Sequence, residues 1–193
     1  MHKYTPVLLG GLLGLAACGS GDTATVRPNP ANHKPAYFDL PGFLEQQSQQ
    51  LNQQQPAVEK QVLLRDGKQE TTRVPKTDWA KELQIFQQAD INKPALRGLY
   101  AVDSMTLPSG LLQRTYRRQS GTDHPVEKLT VISRDSMVQD VTAMVAQDNP
   151  LVYSAKALEL HCQNGRLVSY SVNGVQKLIL FDSVRYAVRG RVL

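Results

Sequence analysis

From Leu99 to the C-terminus the chain runs in short alternations of apolar and polar residues, divided by turn-forming residues, and few folds accept that pattern. Candidate strands fall at 99–106, 111–118, 126–134, 137–146, 151–162, 166–173, 175–182 and 184–192. Turn signals separate most of them: Pro108-Ser109-Gly110, Ser120-Gly121, Asp148-Asn149-Pro150 and Asn164-Gly165. Strands this short and this evenly spaced predict an up-and-down antiparallel meander.

Ahead of the meander the period changes. Asp39 to Gln54 reads as an amphipathic helix with Phe43, Leu44, Gln47 and Leu51 on one face, and Pro56 ends it. Seven glutamines lie between Gln46 and Gln55, good helix formers for a solvated face. Val58 to Leu64 and Lys68 to Val74, joined at Asp66-Gly67, read as a β-hairpin. Thr77 or Asp78 caps a second helix with Trp79, Leu83 and Phe86 on one face and Trp79 as a core anchor. Asp90-Ile91-Asn92-Lys93-Pro94 breaks that helix, and a short helical turn through Leu96 follows. The fold class predicted is α+β: a curved antiparallel sheet packed on two N-terminal helices.

Two features of the last strands point to a binding face. Tyr170-Ser-Val172-Asn-Gly174 is echoed by Tyr186-Ala-Val188-Arg-Gly190, with Tyr, Val and Gly on one strand face and the glycine marking a bend or a close backbone approach. In the candidate strand 175–182, Ile179 and Phe181 lie on one face, Leu178 and Leu180 on the other. A strand apolar on both faces is covered on both, by the core on one side and by a helix, a partner or a hydrophobic ligand on the other. Leu178, Leu180, Tyr170 and Tyr186 are therefore the candidate ligand-binding residues.

Residues for catalysis are sparse. His161 and Cys162 are neighbours, but successive strand side chains point to opposite faces. Cys162 sides with Leu158 and Leu160 as a buried thiol, and His161 sides with Glu159. His2, His33, His124 and His161 are scattered, none at zinc-ligand spacing. Asp78 and Glu82 read as a solvated helix flank. Arg185, Arg189 and Arg191 share the outer face of the last strand, and Arg114, Tyr116 and Arg118 share a face of an earlier one, where they can hold an anion or a sugar. Neither an enzyme, a metal nor a cofactor is predicted.

The N-terminus carries an export signal: His2 and Lys3, an uncharged run from Pro6 to Ala17, then small residues before Cys18. The run is too short to span a bilayer, which takes about 20 apolar residues. Leu15-Ala16-Ala17-Cys18 resembles the lipobox of bacterial lipoproteins. That resemblance implies a signal peptide over 1–17, a diacylglyceryl thioether on the Cys18 sulfur and an acylated Cys18 amine. Gly19, where an Asp would retain such a protein at the inner membrane, implies the outer membrane. Asp22 as the sole nearby acid implies a periplasm-facing placement. Residues 18–35, rich in Gly, Ser, Thr and Pro, read as the lipidated N-terminus and a flexible linker, and 36–193 as a single α+β domain.

Removing 1–17 takes one cation, so the mature charge is 21 − 17 = +4, which favours anionic surfaces; nucleic acid is not an expected partner outside the cytoplasm. A lipidated Cys18 leaves Cys162 without an internal disulfide partner. The predicted architecture resembles the half-barrel fold of the outer-membrane lipoprotein carrier and receptor family, without a diagnostic motif of it. Trp79-Ala-Lys-Glu82-Leu83, Asp90-Ile-Asn-Lys93-Pro94 and Gly174-Val-Gln-Lys177 resemble a group of uncharacterised envelope lipoproteins, which implies no activity. Two functions fit: a module binding a lipid or other hydrophobic ligand on an open apolar face, or a structural lipoprotein with a filled core that acts through an envelope protein.

Overall fold

A computed structural model describes residues 36–64 and 67–193. The signal segment 1–17, Cys18, the linker through Pro35 and Asp66 of the hairpin turn lie outside the described residues.

Helix α1 (Leu40–Gln54) begins at Asp39, whose carboxylate accepts the Gly42 N–H at 3.1 Å. It ends at Gln55, left-handed at φ 46°, with Pro56 blocking continuation. Leu40, Leu44, Gln47, Ser48 and Leu51 form its buried stripe, and Phe43 lies at the margin against Phe38. Gln47 is spent on structure: its amide donates to the Gly165 carbonyl at 2.9 Å and accepts from the Leu167 N–H at 2.8 Å. Both halves of a buried amide are thus satisfied, and α1 is fixed to the Asn164-Gly165 turn.

Strands β1 (Val58–Leu63) and β2 (Gln69–Val74) form the expected hairpin. A single α-turn, α2 (Trp79–Glu82), is followed by 3₁₀ segments Gln84–Ala89 and Pro94–Leu96. The expected second helix is therefore much shorter. A 3₁₀ segment has three residues per turn, which aligns Leu83, Phe86 and Ala89 on one face, and all three are buried. Glu82 also departs from expectation: it turns inward, where Lys60 Nζ lies 2.6 Å away.

The meander follows as β3 (Tyr100–Thr106), β4 (Leu112–Arg118), β5 (Val126–Arg134), β6 (Met137–Asp148), β7 (Val152–Gln163), β8 (Arg166–Leu178) and β9 (Val184–Val192). Seven strands replace the eight expected. Segments 166–173 and 175–182 are not two strands: β8 runs through Gly174 without a break and stops at Leu178, and the chain then turns. Gly174 is not a turn because it sits in register opposite Tyr186.

All pairings are antiparallel, in the order β2-β1-β9-β8-β7-β6-β5-β4-β3, and the sheet is not closed. The result is mostly β with some helix. Since β2 and β3 are the two edges, residues 75–99 must connect strands separated by eight spacings, about 38 Å at ~4.8 Å each. This connection supplies Trp79, Leu83, Phe86, Ala89, Ile91 and Leu96 to the same core cluster as α1, Leu129, Leu158, Leu160 and Tyr170.

Candidate functional site

The four candidate ligand residues do not converge. Tyr170 and Tyr186 lie on β8 and β9, and the echoed pattern is a cross-strand exchange: Tyr170 pairs with Gly190, Val172 with Val188 and Gly174 with Tyr186. Each tyrosine ring lies over the opposing glycine, and a Cβ on either glycine would overlap that ring. The close approach expected from the sequence is this one. Tyr170 is 5 % exposed, meets Phe86 edge-to-face at 6.2 Å and donates its hydroxyl proton to the Glu82 carboxylate. Lys60 neutralises the same carboxylate. Burial, then the neighbouring Glu82, raise the Tyr170 pKa, so the hydroxyl stays protonated. Tyr170 fastens β8 to α2 and belongs to the core.

Leu178 and Leu180 are elsewhere. Leu178 ends β8, and Leu180 stands in the following turn at φ 68° and 95 % exposed. The expectation of a strand covered on both faces is corrected here. Ile179 and Phe181 are also exposed, and the Ile179 N–H donates to the Leu151 carbonyl at 3.0 Å, which sets exposed Leu151 beside them. The sequence signal was four successive large apolar residues, which no alternating strand explains.

On the face of the sheet opposite the core, the rows nearest the Asn164-Gly165 turn are polar, and a row farther along, Leu63, Ala187, Asn173, Ala157 and Met144, is mostly apolar. One transverse row runs Glu59, Arg191, Ser169, His161, Asp140; the next runs Gln61, Arg189, Ser171, Glu159, Thr142 and on through Thr130 and Thr115 to Asp103. A hollow of about 430 Å³ lies where these rows cross β1, β9, β8 and β7. Its charges are mostly matched: Arg191 with Glu59 at 3.1 Å, His161 Nδ1 with Asp140 at 2.7 Å, and the Ser171 hydroxyl on Glu159 at 2.8 Å. Arg189 makes no ion pair among the described residues.

Asp140, His161 and Ser169 stand in line across three strands, the order of an acid, a base and a hydroxyl nucleophile. A desolvated acid–base pair, which acyl-transfer chemistry needs, is missing from that line. The His161 and Asp140 side chains are 48 % and 38 % exposed, so water screens the pair. Beside this line β7 and β8 shift register between His161 and Cys162, leaving Val168 without an opposite residue. Cys162 is wholly buried among Leu158 and Leu160, and burial, with Asp140 adding to it, pushes its thiol up to about 12. Among the described residues no group of three His, Cys, Asp or Glu is placed to hold a metal ion.

In the second arginine cluster Arg114 stays beside the Tyr116 hydroxyl, and Arg118 is engaged elsewhere. Tyr116 is buried against Tyr37 at 5.8 Å, while Arg118 bonds the His124 carbonyl and lies 3.5 Å from Glu127. His124 Nδ1 lies 2.8 Å from the Tyr100 hydroxyl and accepts the Val126 N–H at 3.3 Å. Burial first, then Lys93 and Arg118, lower the His124 pKa against the opposing pull of Asp90 and Asp123. The unfolded chain therefore takes up this proton first as pH falls below about 6.5. Stability carried by neutral His124 is present at neutral pH and lost as pH falls through that value. We expect the urea midpoint to drop less between about pH 7 and pH 5 in His124→Asn, which keeps an acceptor but does not titrate, than in the wild type. Parallel pH profiles would contradict this.

Compared with known proteins, the chain matches no family model, no curated protein and no solved structure. Among the described residues no helix is long and apolar enough to cross a membrane.

Proposed function

We propose that this chain is a lipid-anchored envelope protein with a filled core, tethered through Cys18 to the outer membrane and acting through its surfaces on an envelope partner. The observation that carries the reading is the occupied apolar face of the sheet. A lipid carrier needs an apolar cavity of several hundred Å³ open to its ligand. Here Trp79, Leu83, Phe86 and Ile91 from the crossing segment, with Leu40 and Leu44 of α1, are buried in one cluster with the inward side chains of the sheet. Tyr170, one of the four candidate ligand contacts in the sequence, is held by Glu82 and Phe86. The hollow on the other face is lined mostly by Ser, Glu, Gln, His and Arg, with Tyr170 and Gly190 at its floor.

The open nine-stranded sheet supports a half-barrel bent around these segments, with its hollow filled by the protein itself. Signal cleavage before Cys18 and lipidation there account for the lipobox and for the Gly- and Pro-rich stretch beyond it. The filled core is tested by native mass spectrometry of the full chain carrying Cys18→Ser, purified without detergent. The mass of the bare polypeptide, unshifted by added phospholipid or fatty acid, is expected. A stoichiometric acyl adduct would sink the filled-core reading and return the hydrophobic-ligand reading.

A further inference from the structure

The apolar turn after β8 has no role in the core. Leu178, Ile179, Leu180 and Phe181 are 41, 55, 95 and 68 % exposed, and Leu151 and Tyr153 continue the patch at 64 and 43 %. Leu180 adopts a left-handed backbone that side chains of its kind avoid. Successive exposed apolar residues on a protruding turn mark an interaction surface. A nearly fully exposed Leu180 makes a convex tip, which suits insertion into a soft medium better than docking on a rigid wall.

The position of the tip identifies the medium. The registers place the start of β3, the end of β4, the start of β7, the end of β8 and the start of β9 at one end of the sheet. The described chain begins at that same end. Tyr37 meets Tyr100, the first residue of β3, at 5.7 Å, and its hydroxyl accepts the Tyr100 N–H. The exit on β3 and the tip after β8 are thus about five strand spacings apart, ~24 Å. Residues 18–35 number 35 − 18 + 1 = 18 and span at most about 60 Å fully extended. A lipid on Cys18 and the tip can therefore reach one bilayer together. Exposed Lys177 and Arg185 flank the tip, with Asp182 on the turn and Asp148 opposite Tyr153, so the charges around the patch balance and its apolar side chains carry the contact.

We propose that the 178–181 turn, with Leu151 and Tyr153, is a second membrane contact that inserts into the lipid interface and orients the polar rows of the sheet away from it. The proposal takes its geometry from the anchored reading above, but its test does not need the lipid. In the full chain carrying Cys18→Ser and Leu180→Cys, the new thiol is the reactive one, because Cys162 is buried. Labelled there with an environment-sensitive nitrobenzoxadiazole, the chain is titrated with vesicles of phosphatidylethanolamine and phosphatidylglycerol. A blue shift and a severalfold rise in emission are expected. The same label at Thr71→Cys on edge strand β2 should not respond, and adding Ile179→Glu and Phe181→Glu should abolish the response at position 180. No response at 180 in chains that sediment with the vesicles would overturn the proposal. So would an equal response at 71, or a blue shift without vesicles that grows with protein concentration and reveals a second copy on the tip. Failure of lipidation is read separately, from the mass of the wild-type protein, and leaves this result standing.

Discussion

Gly190→Val is expected to destabilise the fold by about 3 kcal/mol, combining overpacking with loss of a buried hydrogen bond. The added side chain occupies the space of the Tyr170 ring. Tyr170 is then driven from the Glu82 carboxylate and from the edge contact with Phe86, and Glu82 is left with Lys60 alone. The sister substitution Gly174→Val displaces Tyr186, which is half-buried and whose hydroxyl has no partner among the described residues. Its cost is expected to be nearer ~1 kcal/mol. Urea denaturation measures both. Removing the ring should relieve the clash, so Gly190→Val combined with Tyr170→Ala should lose clearly less than the sum of the two single changes. Equal costs at the two glycines, or simple additivity, would show that the rings do not depend on the missing Cβ atoms.

Cys18→Ala is expected to produce the largest effect of any single substitution in the chain. One acyl chain holds a protein to a bilayer only marginally, whereas each further buried CH₂ adds about 0.8 kcal/mol, so two or three chains make the attachment effectively permanent. Without the thiol no thioether forms, and cleavage before residue 18 fails with it. The variant should disappear from the outer-membrane fraction, either released or retained as an uncut precursor with a higher mass. Any remaining association through the 178–181 turn should be weak. Unchanged fractionation and mass would refute the anchor.

The meander was legible because its signals are local. Asn164-Gly165, Asp148-Asn149-Pro150 and Pro108-Ser109-Gly110 each punctuate strands whose alternation fixes their inward faces, and Cys162 fell on the buried side as alternation required. Three things escaped, each for a long-range reason. Gly174 looked like a boundary because its use depends on Tyr186, across β9. Glu82 looked solvated because its partners, Lys60 and Tyr170, come from β1 and β8. The second helix looked regular because Leu83 and Phe86 fit a helical period; the tighter 3₁₀ turn that adds Ala89 to their face emerges only when the segment must cross the sheet between its two edges. The polar rows were half legible. Their members on β9, Arg189 and Arg191, stood out by alternation, but their alignment with Ser169, Ser171, Glu159 and His161 is a matter of register between strands. Of the binding residues proposed from the sequence, Tyr170 packs in the core and Leu180 stands on an exposed turn, a separation that only the register of β8 reveals.

The most direct test of a lipid-anchored protein is the intact mass of the chain extracted from membranes. The expected mass is that of residues 18–193 plus a diacylglyceryl group and an amide-linked acyl chain, with fragmentation placing the whole excess on Cys18. A chain that retains residues 1–17, or one that carries an unmodified Cys18, would contradict it.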